Sequence, residues 1–298
     1  MKKHFLGFWV LGALAFAPAS DALILLNHNN NDITITSDPG TGVPWTNVAQ
    51  ITNGSSSPTG SGVYLGNQFI ITANHVPVTN IVIDGQTFTI DTAFNTGGYT
   101  NGSMQIGTAD LKIVRLTADP ELTVSGLTNI NLNTNTVLDR NRDVTLIGYG
   151  QGRGTEVAGQ GWNWGSGTED QRWGTNRTLA GTITDGNTTF LQTEFNNNGT
   201  DTEAALALND SGSAMFYEFS GTWYLSGIGI GVDTNGQSLY DNDPGASGNQ
   251  PDRNFFGRVS TYEGLISAAI AIPEPSTYIL LGLGLGVLAL TCKIRRQS

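Results

Sequence analysis

The sequence predicts an all-β protein with one large domain. Its strand signals are short β-branched runs separated by turn residues, and few segments have the period of a helix. Glycine is abundant, with 39 residues, and only 13% of the residues are charged. Two terminal segments differ in composition from the rest and leave about 250 residues between them, which is enough for two sub-barrels.

The first residues, 1–22, predict a secretory signal peptide. Two lysines precede an apolar run from 5 to 16, and small residues follow it. Cleavage after Ala19 or after Ala22 fits this pattern. We favour Ala22, because the mature chain then begins with the strand-like run 23–26 (LILL).

The central region predicts individual strands and hairpins. Residues 81–90 give the clearest hairpin, because Asp84 and Gly85 at its centre tolerate the positive φ values of a two-residue turn. Shorter runs of the same kind predict further strands at 62–65, 68–72, 144–147 and 190–195.

The largest segment without a strand pattern is 151–177, which is rich in glycine and includes Trp162, Trp164 and Trp173. Stacking of these rings on carbohydrate is one interpretation. We favour a surface loop of the Ω type that its own aromatic side chains hold together.

The last residues, 272–298, predict a sorting and anchoring segment. The motif PEP at 273–275 precedes an apolar stretch, 278–292, and a basic end. This stretch is shorter than the roughly 20 residues of a comfortable transmembrane helix, and its basic end favours the cytoplasmic side. The tail resembles the PEP-CTERM sorting signal that exosortase-type enzymes process in Gram-negative bacteria, with an ordinary tail anchor as the alternative.

This resemblance implies an exported protein whose C-terminal apolar anchor helix holds it in the membrane, at least until processing. Signal peptidase and an exosortase-type enzyme are then its partners during export. The expected location is the cell envelope, the cell surface or the extracellular matrix. The net charge of −11 argues against nucleic acid or an anionic membrane surface as a partner. The only cysteine, Cys292, lies in the tail, so the mature domain depends on its core rather than on disulfides.

Three segments place a reactive side chain at the edge of an apolar run. They supply His75, Asp110 and Ser211, and they are 71–76 (ITANHV), 109–116 (ADLKIVRL) and 209–216 (NDSGSAMF). A histidine can take the proton of a serine, and a carboxylate can orient the histidine and stabilise its charged form. Each residue alone is more often structural, but the set of three favours nucleophilic catalysis.

Only three histidines occur in the chain. His4 leaves with the signal peptide, so a base of near-neutral pKa is His75 or His28. Because His28 lies in an asparagine-rich run without matching partners, we favour His75.

The chain order His, Asp, Ser is that of the chymotrypsin type, and the three segments resemble the TAAHC, DIALL and GDSGGP motifs of trypsin-like serine proteases. Four further segments resemble family strands and turns in the same order: 43–48 (VPWTNV), 147–150 (IGYG), 227–232 (GIGIGV) and 258–266 (RVSTYEGLI). The resemblance implies a chymotrypsin-like fold in residues 23–271, with two six-stranded antiparallel β-barrels and a short C-terminal helix.

The resemblance also implies catalytic roles. His75 is general base and then general acid, Asp110 orients it, and Ser211 is the nucleophile. The main-chain N–H groups of Asn209 and Ser211 form the oxyanion hole. No metal or organic cofactor is implied.

For substrate binding, the resemblance implies that Ala205 lies at the base of the pocket for the side chain before the scissile bond, with Ile230 and Val232 as walls. Because Ala205 is uncharged, we expect small or medium apolar side chains, such as Ala, Val or Leu, to be preferred over Lys and Arg. Entry of Asp233 or Glu203 into the pocket would reverse this preference.

Some residues depart from the family pattern. Asn209 and Ser213 replace glycines, and Val232 replaces a glycine of the pocket wall. Members of the family mature by a cleavage that frees an N-terminal ammonium, which pairs with the aspartate before the nucleophile, here Asp210. In this chain, no Arg or Lys precedes a tetrapeptide of the Ile-Val-Gly-Gly type that such a cleavage would expose. We consider that Leu23, once signal peptidase has exposed it, supplies this N-terminal ammonium instead.

Two functions of different classes fit these observations. The first is a secreted, surface-sorted serine endopeptidase that hydrolyses a protein or peptide substrate through an acyl-enzyme. The second is a binding module of the cell surface or matrix that keeps the trypsin fold with weak or no catalysis, as the departures suggest. The complete triad favours the first.

Overall fold

The fold is known from a computed structural model, which describes residues 23–26, 33–54, 58–165, 170–243 and 250–271. The predicted signal peptide and the predicted anchor helix both lie outside these residues, as does His28. None of the helices within the described ranges is long and apolar enough to span a membrane.

The first half of the chain contains one β-barrel and an N-terminal strand that lies apart from it. Its strands are β1 (Ile24–Leu25), β2 (Val48–Thr52), β3 (Pro58–Gly66), β4 (Phe69–Ala73), β5 (Asn80–Ile83), β6 (Gln86–Thr89), β7 (Ser103–Gln105) and β8 (Leu111–Arg115). Short 3-10 helices occur at Ile33–Thr36 and Pro120–Leu122.

Strands of the first half pair in the order β6-β5-β2-β3-β4-β8-β7. An antiparallel bridge between Ile90 and Leu116 joins the ends of β6 and β8, and the N–H of Thr117 donates to the carbonyl of Thr89. The six strands from β6 to β8 in this order therefore close into a barrel, and β7 is an additional strand on the edge of β8.

The second half follows the same plan. Its strands are β9 (Asp143–Gly148), β10 (Arg153–Val157), β11 (Gly161–Trp164), β12 (Arg172–Arg177), β13 (Ile183–Asp185), β14 (Thr188–Glu194), β15 (Ala204–Ala205), β16 (Ala214–Phe219), β17 (Thr222–Val232), β18 (Gln237–Leu239) and β19 (Arg253–Arg258), and the chain continues into helix α1 (Val259–Ile270).

The second barrel has the order β12-β9-β16-β17-β19-β14, with β13 as an extra strand on β14. It is closed by a bridge between Thr178 and Thr193. Two six-stranded barrels and a short C-terminal helix are therefore present, as predicted.

The alternating direction of side chains along the strands explains how the two barrels pack together. In β4, Ile70 faces the core of the first barrel and Ile71 faces a larger cluster between the barrels. In β16, Met215 lies in the second barrel and Phe216 in the shared cluster. Because successive side chains of a strand point to opposite faces, each strand at the junction is buried on both sides.

The segment 151–177 differs from the predicted Ω loop, since it contains β10, β11 and β12. Strands β10 and β11 form a hairpin that pairs with β18, which makes a three-stranded sheet outside both barrels. Glycine permits this pairing: a Cβ atom on Gly161 would lie 2.3 Å from the carbonyl oxygen of Ser238. We call this unit the accessory sheet.

Candidate active site

The three predicted catalytic side chains lie at the junction of the two barrels. His75 follows β4, and Asp110 immediately precedes β8. These strands are paired, with Ala73 opposite Leu111, so the two residues are neighbours. Ser211 comes from the second half, in the loop between β15 and β16.

His75 connects the other two side chains. Its Nδ1 lies 2.7 Å from Oδ2 of Asp110, and its Nε2 lies 2.8 Å from Oγ of Ser211. The main-chain N–H of His75 also donates to Oδ1 of Asp110, at 3.0 Å. Both carboxylate oxygens are therefore engaged, which fixes the imidazole ring with Nε2 directed at the serine.

The electrostatics of Asp110 suit this arrangement. Partial burial raises its pKa, but the hydrogen bonds and the charge of His75 outweigh burial, so the pKa of Asp110 lies below its usual value. The group is therefore ionised at neutral pH and can stabilise a protonated imidazole.

The loop that carries Ser211 is held on both sides. The carbonyl of Ser211 accepts the N–H of Ser61 at 2.8 Å, and the N–H of Gly212 donates to Gly229 at 2.7 Å. Asn209 has φ of 71°, in the left-handed region that asparagine tolerates better than most residues.

Asp210 precedes Ser211 in the chain and is completely buried. Its donors are the main-chain N–H groups of Gly150, Ala207 and Leu23, the first two at 2.8 and 2.9 Å. Burial raises the pKa of Asp210 to about 7 despite these hydrogen bonds. The structure therefore brings Leu23 to the carboxylate that the sequence resemblance singled out.

A cavity of about 240 Å³ opens beside Ser211. Its lining residues are Trp164, Leu206, Ala207, Leu208, Asn209, Ser211, Gly231, Val232 and Asn235. All of them are uncharged at neutral pH, so the cavity suits an apolar side chain.

Of the residues predicted for substrate binding, Val232 lines this cavity, whereas Ala205 and Ile230 do not. Ala205 is buried, because it pairs with Ile24 in β1 and packs against Phe195. Ile230 touches Ser211 through its main chain, with its carbonyl oxygen 3.5 Å from Oγ of Ser211.

Neither carboxylate that could have reversed the predicted preference enters the cavity. Oδ2 of Asp233 accepts the N–H of Arg253 at 3.0 Å. Glu203 is buried, and its Oε1 accepts the N–H of Asn196 at 2.9 Å.

Sequence reasoning missed two residues near the site. Lys112 is two positions after Asp110, and its Nζ donates to the carbonyls of Asn74 and Val76, which flank His75. Trp164 was noted for its aromatic ring but not placed at the cavity. The position of Lys112 between apolar residues of a strand was the one available signal.

Comparisons with known proteins agree with this fold. The trypsin family model matches residues 33–245, and the model of the PEP-CTERM protein-sorting motif matches residues 271–296. A comparison with curated sequences finds no significant match.

Solved structures of similar fold include two mutants of human heparin binding protein (CAP37). They are 17% and 18% identical, with TM-scores of 0.52 and 0.54, and the matches cover 78% and 80% of this chain and 94% and 96% of theirs. Neuropsin, a serine protease expressed in the limbic system of mouse brain, is 14% identical with a TM-score of 0.51, over 79% of this chain and 98% of its own.

The trypsin match covers more than half of the sequence, and the solved structures share its two-barrel architecture. The chain therefore belongs to the trypsin family and carries a C-terminal PEP-CTERM protein-sorting motif.

Proposed function

We propose that this protein is an active serine endopeptidase, exported and sorted to the cell surface. The observation that carries the proposal is the continuous contact from Asp110 through His75 to Oγ of Ser211, at 2.7 and 2.8 Å. The substrate is a protein or peptide, and hydrolysis proceeds through an acyl-enzyme.

In the first half of the reaction, Oγ of Ser211 attacks the carbonyl carbon while Nε2 of His75 takes the hydroxyl proton. The ionised Asp110 stabilises the imidazolium. The main-chain N–H groups of Asn209 and Ser211 donate to the oxyanion, and each such donor is worth about 2.7–4 kcal/mol in a transition state. Nε2 then gives its proton to the leaving amine, and the acyl group stays on Ser211.

In the second half, a water molecule attacks the acyl carbon. His75 takes a proton from this water and returns one to Oγ of Ser211, which releases the carboxylic acid and restores the enzyme.

The same proposal assigns residues 1–22 to the signal peptide, 23–271 to the protease domain and 272–298 to the sorting segment. Cleavage after Ala22 turns the N–H of Leu23 into an ammonium next to the buried Asp210. Leu23 has φ of 56°, which is strained for leucine, and cleavage removes the peptide bond that defines this angle. Maturation thus places a cation beside this carboxylate.

A second candidate is a binding module without catalysis. The departures at Asn209, Ser213 and Val232 favour it, as does the fold similarity to heparin binding protein. A polyanion is a poor ligand for a chain with a net charge of −11, so we place this candidate second.

Labelling with a fluorophosphonate separates the two candidates. The mature domain should react covalently with the probe, and the Ser211→Ala variant should not. A folded mature domain that resists the probe would support the binding module instead.

A further inference from the structure

The accessory sheet does not belong to either barrel, yet it reaches the cavity beside Ser211. Strand β11 ends in Trp164, which is one of the residues that line the cavity. Gly231 and Val232, at the end of β17, line the same cavity.

Hydrogen bonds fix the position of this ring. The indole Nε1 donates to Oγ of Ser238 at 2.9 Å, and that hydroxyl contacts the carbonyl oxygen of Leu206 at 3.3 Å. The N–H of Trp164 donates to the carbonyl of Gly236, also at 2.9 Å. Ser238 is buried. The ring is thus tied, through one hydroxyl group, to another residue of the cavity lining.

The accessory sheet is also anchored at its far side. The guanidinium of Arg153 lies 4.0 Å from the centroid of the Trp162 ring. Nη1 of the same arginine donates to the carbonyls of Leu25 and Leu26, at 3.1 and 3.2 Å. The sheet is therefore fixed to the N-terminal strand, and the wall it provides is rigid.

Leu206, which also lines the cavity, is held by hydrogen bonds. The N–H of Leu206 donates to Oδ1 of Asn254 at 2.8 Å, and Nδ2 of Asn254 donates to Oγ1 of Thr193 at 3.1 Å. Asn254 is buried beneath the lining. Leu206 is therefore held in place, as the ring of Trp164 is.

We propose that Trp164 determines substrate specificity, by limiting the side chain before the scissile bond to small and medium apolar residues. The proposal rests on the proposed peptidase function and identifies its substrate class. The cavity of about 240 Å³ lies beside Ser211, and the fixed ring of Trp164 takes up space that a larger side chain would need. The cavity offers space for one small or medium side chain and no charge to pair with Lys or Arg.

Cleavage of tetrapeptide p-nitroanilides that differ only in the last residue tests the proposal. The wild-type mature domain should prefer Ala, Val or Leu over Phe, Lys and Arg. Trp164→Ala should raise the kcat/KM ratio of the Phe substrate to the Ala substrate by about 10-fold or more, the range that one or a few methylene groups of pocket space confer. Ser238→Ala, which frees the indole, should move the ratio in the same direction by less.

Trp223→Ala is the matched control, because it makes the same truncation in a different cavity, between Thr145 and Arg177. It should leave the ratio unchanged. An unchanged ratio in both Trp164→Ala and Ser238→Ala, or a wild-type preference for Lys or Arg, would overturn the role of Trp164 while leaving the peptidase intact. A wild-type domain that neither cleaves these substrates nor reacts with the fluorophosphonate would overturn both proposals.

Discussion

At the scale of single residues, the orientation of His75 depends on more than Asp110. Lys112 is half-buried, and its Nζ donates to the carbonyls on either side of His75, at 3.1 Å to Asn74 and 2.5 Å to Val76. Burial lowers the pKa of Lys112, and the nearby Asp110 opposes this effect. Lys112 thus holds the turn that carries His75, and in the proposed function it is a positioning residue.

We therefore predict that Lys112→Met lowers kcat by about 10-fold, which corresponds to about 1.4 kcal/mol in the barrier, and leaves KM nearly unchanged. The physical reason is that the turn loses two charge-assisted hydrogen bonds, so the imidazole is less well aligned. Steady-state kinetics on the preferred peptide substrate measures this effect. Lys112→Arg should recover most of the activity, and a loss that appears in KM alone would contradict the positioning role.

At the scale of elements, the turn after Ser211 has no space for a side chain at Gly212. Gly212 has φ of 89°, and a Cβ atom on it would lie 1.8 Å from the carbonyl oxygen of Ser61 and 2.3 Å from Oγ1 of Thr72. The nearest atom belongs to the backbone of β3, so a side-chain rotation cannot relieve the clash. The contact keeps the loop of Ser211 against the first barrel.

Gly212→Ala should therefore destabilise the domain by about 3 kcal/mol or more, since overpacking and a disfavoured φ each cost about 1–3 kcal/mol. Urea unfolding of the mature domain measures the change. Gly181→Ala is a suitable control, because a Cβ atom there meets nothing within 4 Å. Equal stability of the two variants would show that the loop can move away from β3.

Local sequence signals predicted some elements well. The hairpin of β5 and β6 has Asp84 at φ of 47° and Gly85 at 72°, as a two-residue turn of this kind requires. The two barrels followed from the resemblance of the ordered motifs, and the same motifs pointed to His75, Asp110 and Ser211, which lie in contact in the structure. The accessory sheet was missed, because its formation depends on pairing between β11 and β18, which are distant in sequence.

The prediction that Ala205 lies at the base of the pocket was likewise limited by contacts between segments that are distant in sequence. Counting six residues back from Ser211 leads to Ala205, but that position is covered by Ile24. Which residue faces the cavity depends on how β1 pairs with β15 and on where Asn254 lies. Neither contact leaves a periodic pattern in the sequence.

At the scale of the whole molecule, the buried Asp210 couples the N-terminus to stability. Its pKa in the folded chain is raised to about 7 while the N–H of Leu23 is an amide, against about 3.9 when unfolded. Between these values the folded state binds more protons than the unfolded state, so this group makes stability fall as pH rises from about 4 to 7.

We predict that a domain whose Leu23 is acetylated loses more stability between pH 5 and pH 8 than a domain with a free Leu23 ammonium. The ammonium favours the charged carboxylate and so lowers the pKa of Asp210. Urea unfolding at the two pH values measures the difference, because the side chains are the same in both proteins. Identical pH dependence would contradict the pairing of the N-terminus with Asp210.

The C-terminal motif predicts processing during export. Because the sorting motif covers residues 271–296, we expect the protein from native envelopes to lack part or all of the tail beyond the PEP sequence. Intact-mass measurement checks this expectation. An unprocessed C-terminus at Ser298 would favour a plain membrane anchor.

The central claim is that Ser211 forms an acyl-enzyme during peptide hydrolysis. Its most direct test is a pre-steady-state measurement with an activated ester of the preferred peptide, followed by mass mapping of the protein. We predict a burst of alcohol close to one equivalent per chain, with the acyl group on Ser211, and no burst with Ser211→Ala. A folded mature domain that shows neither burst nor acylated Ser211 would contradict the account.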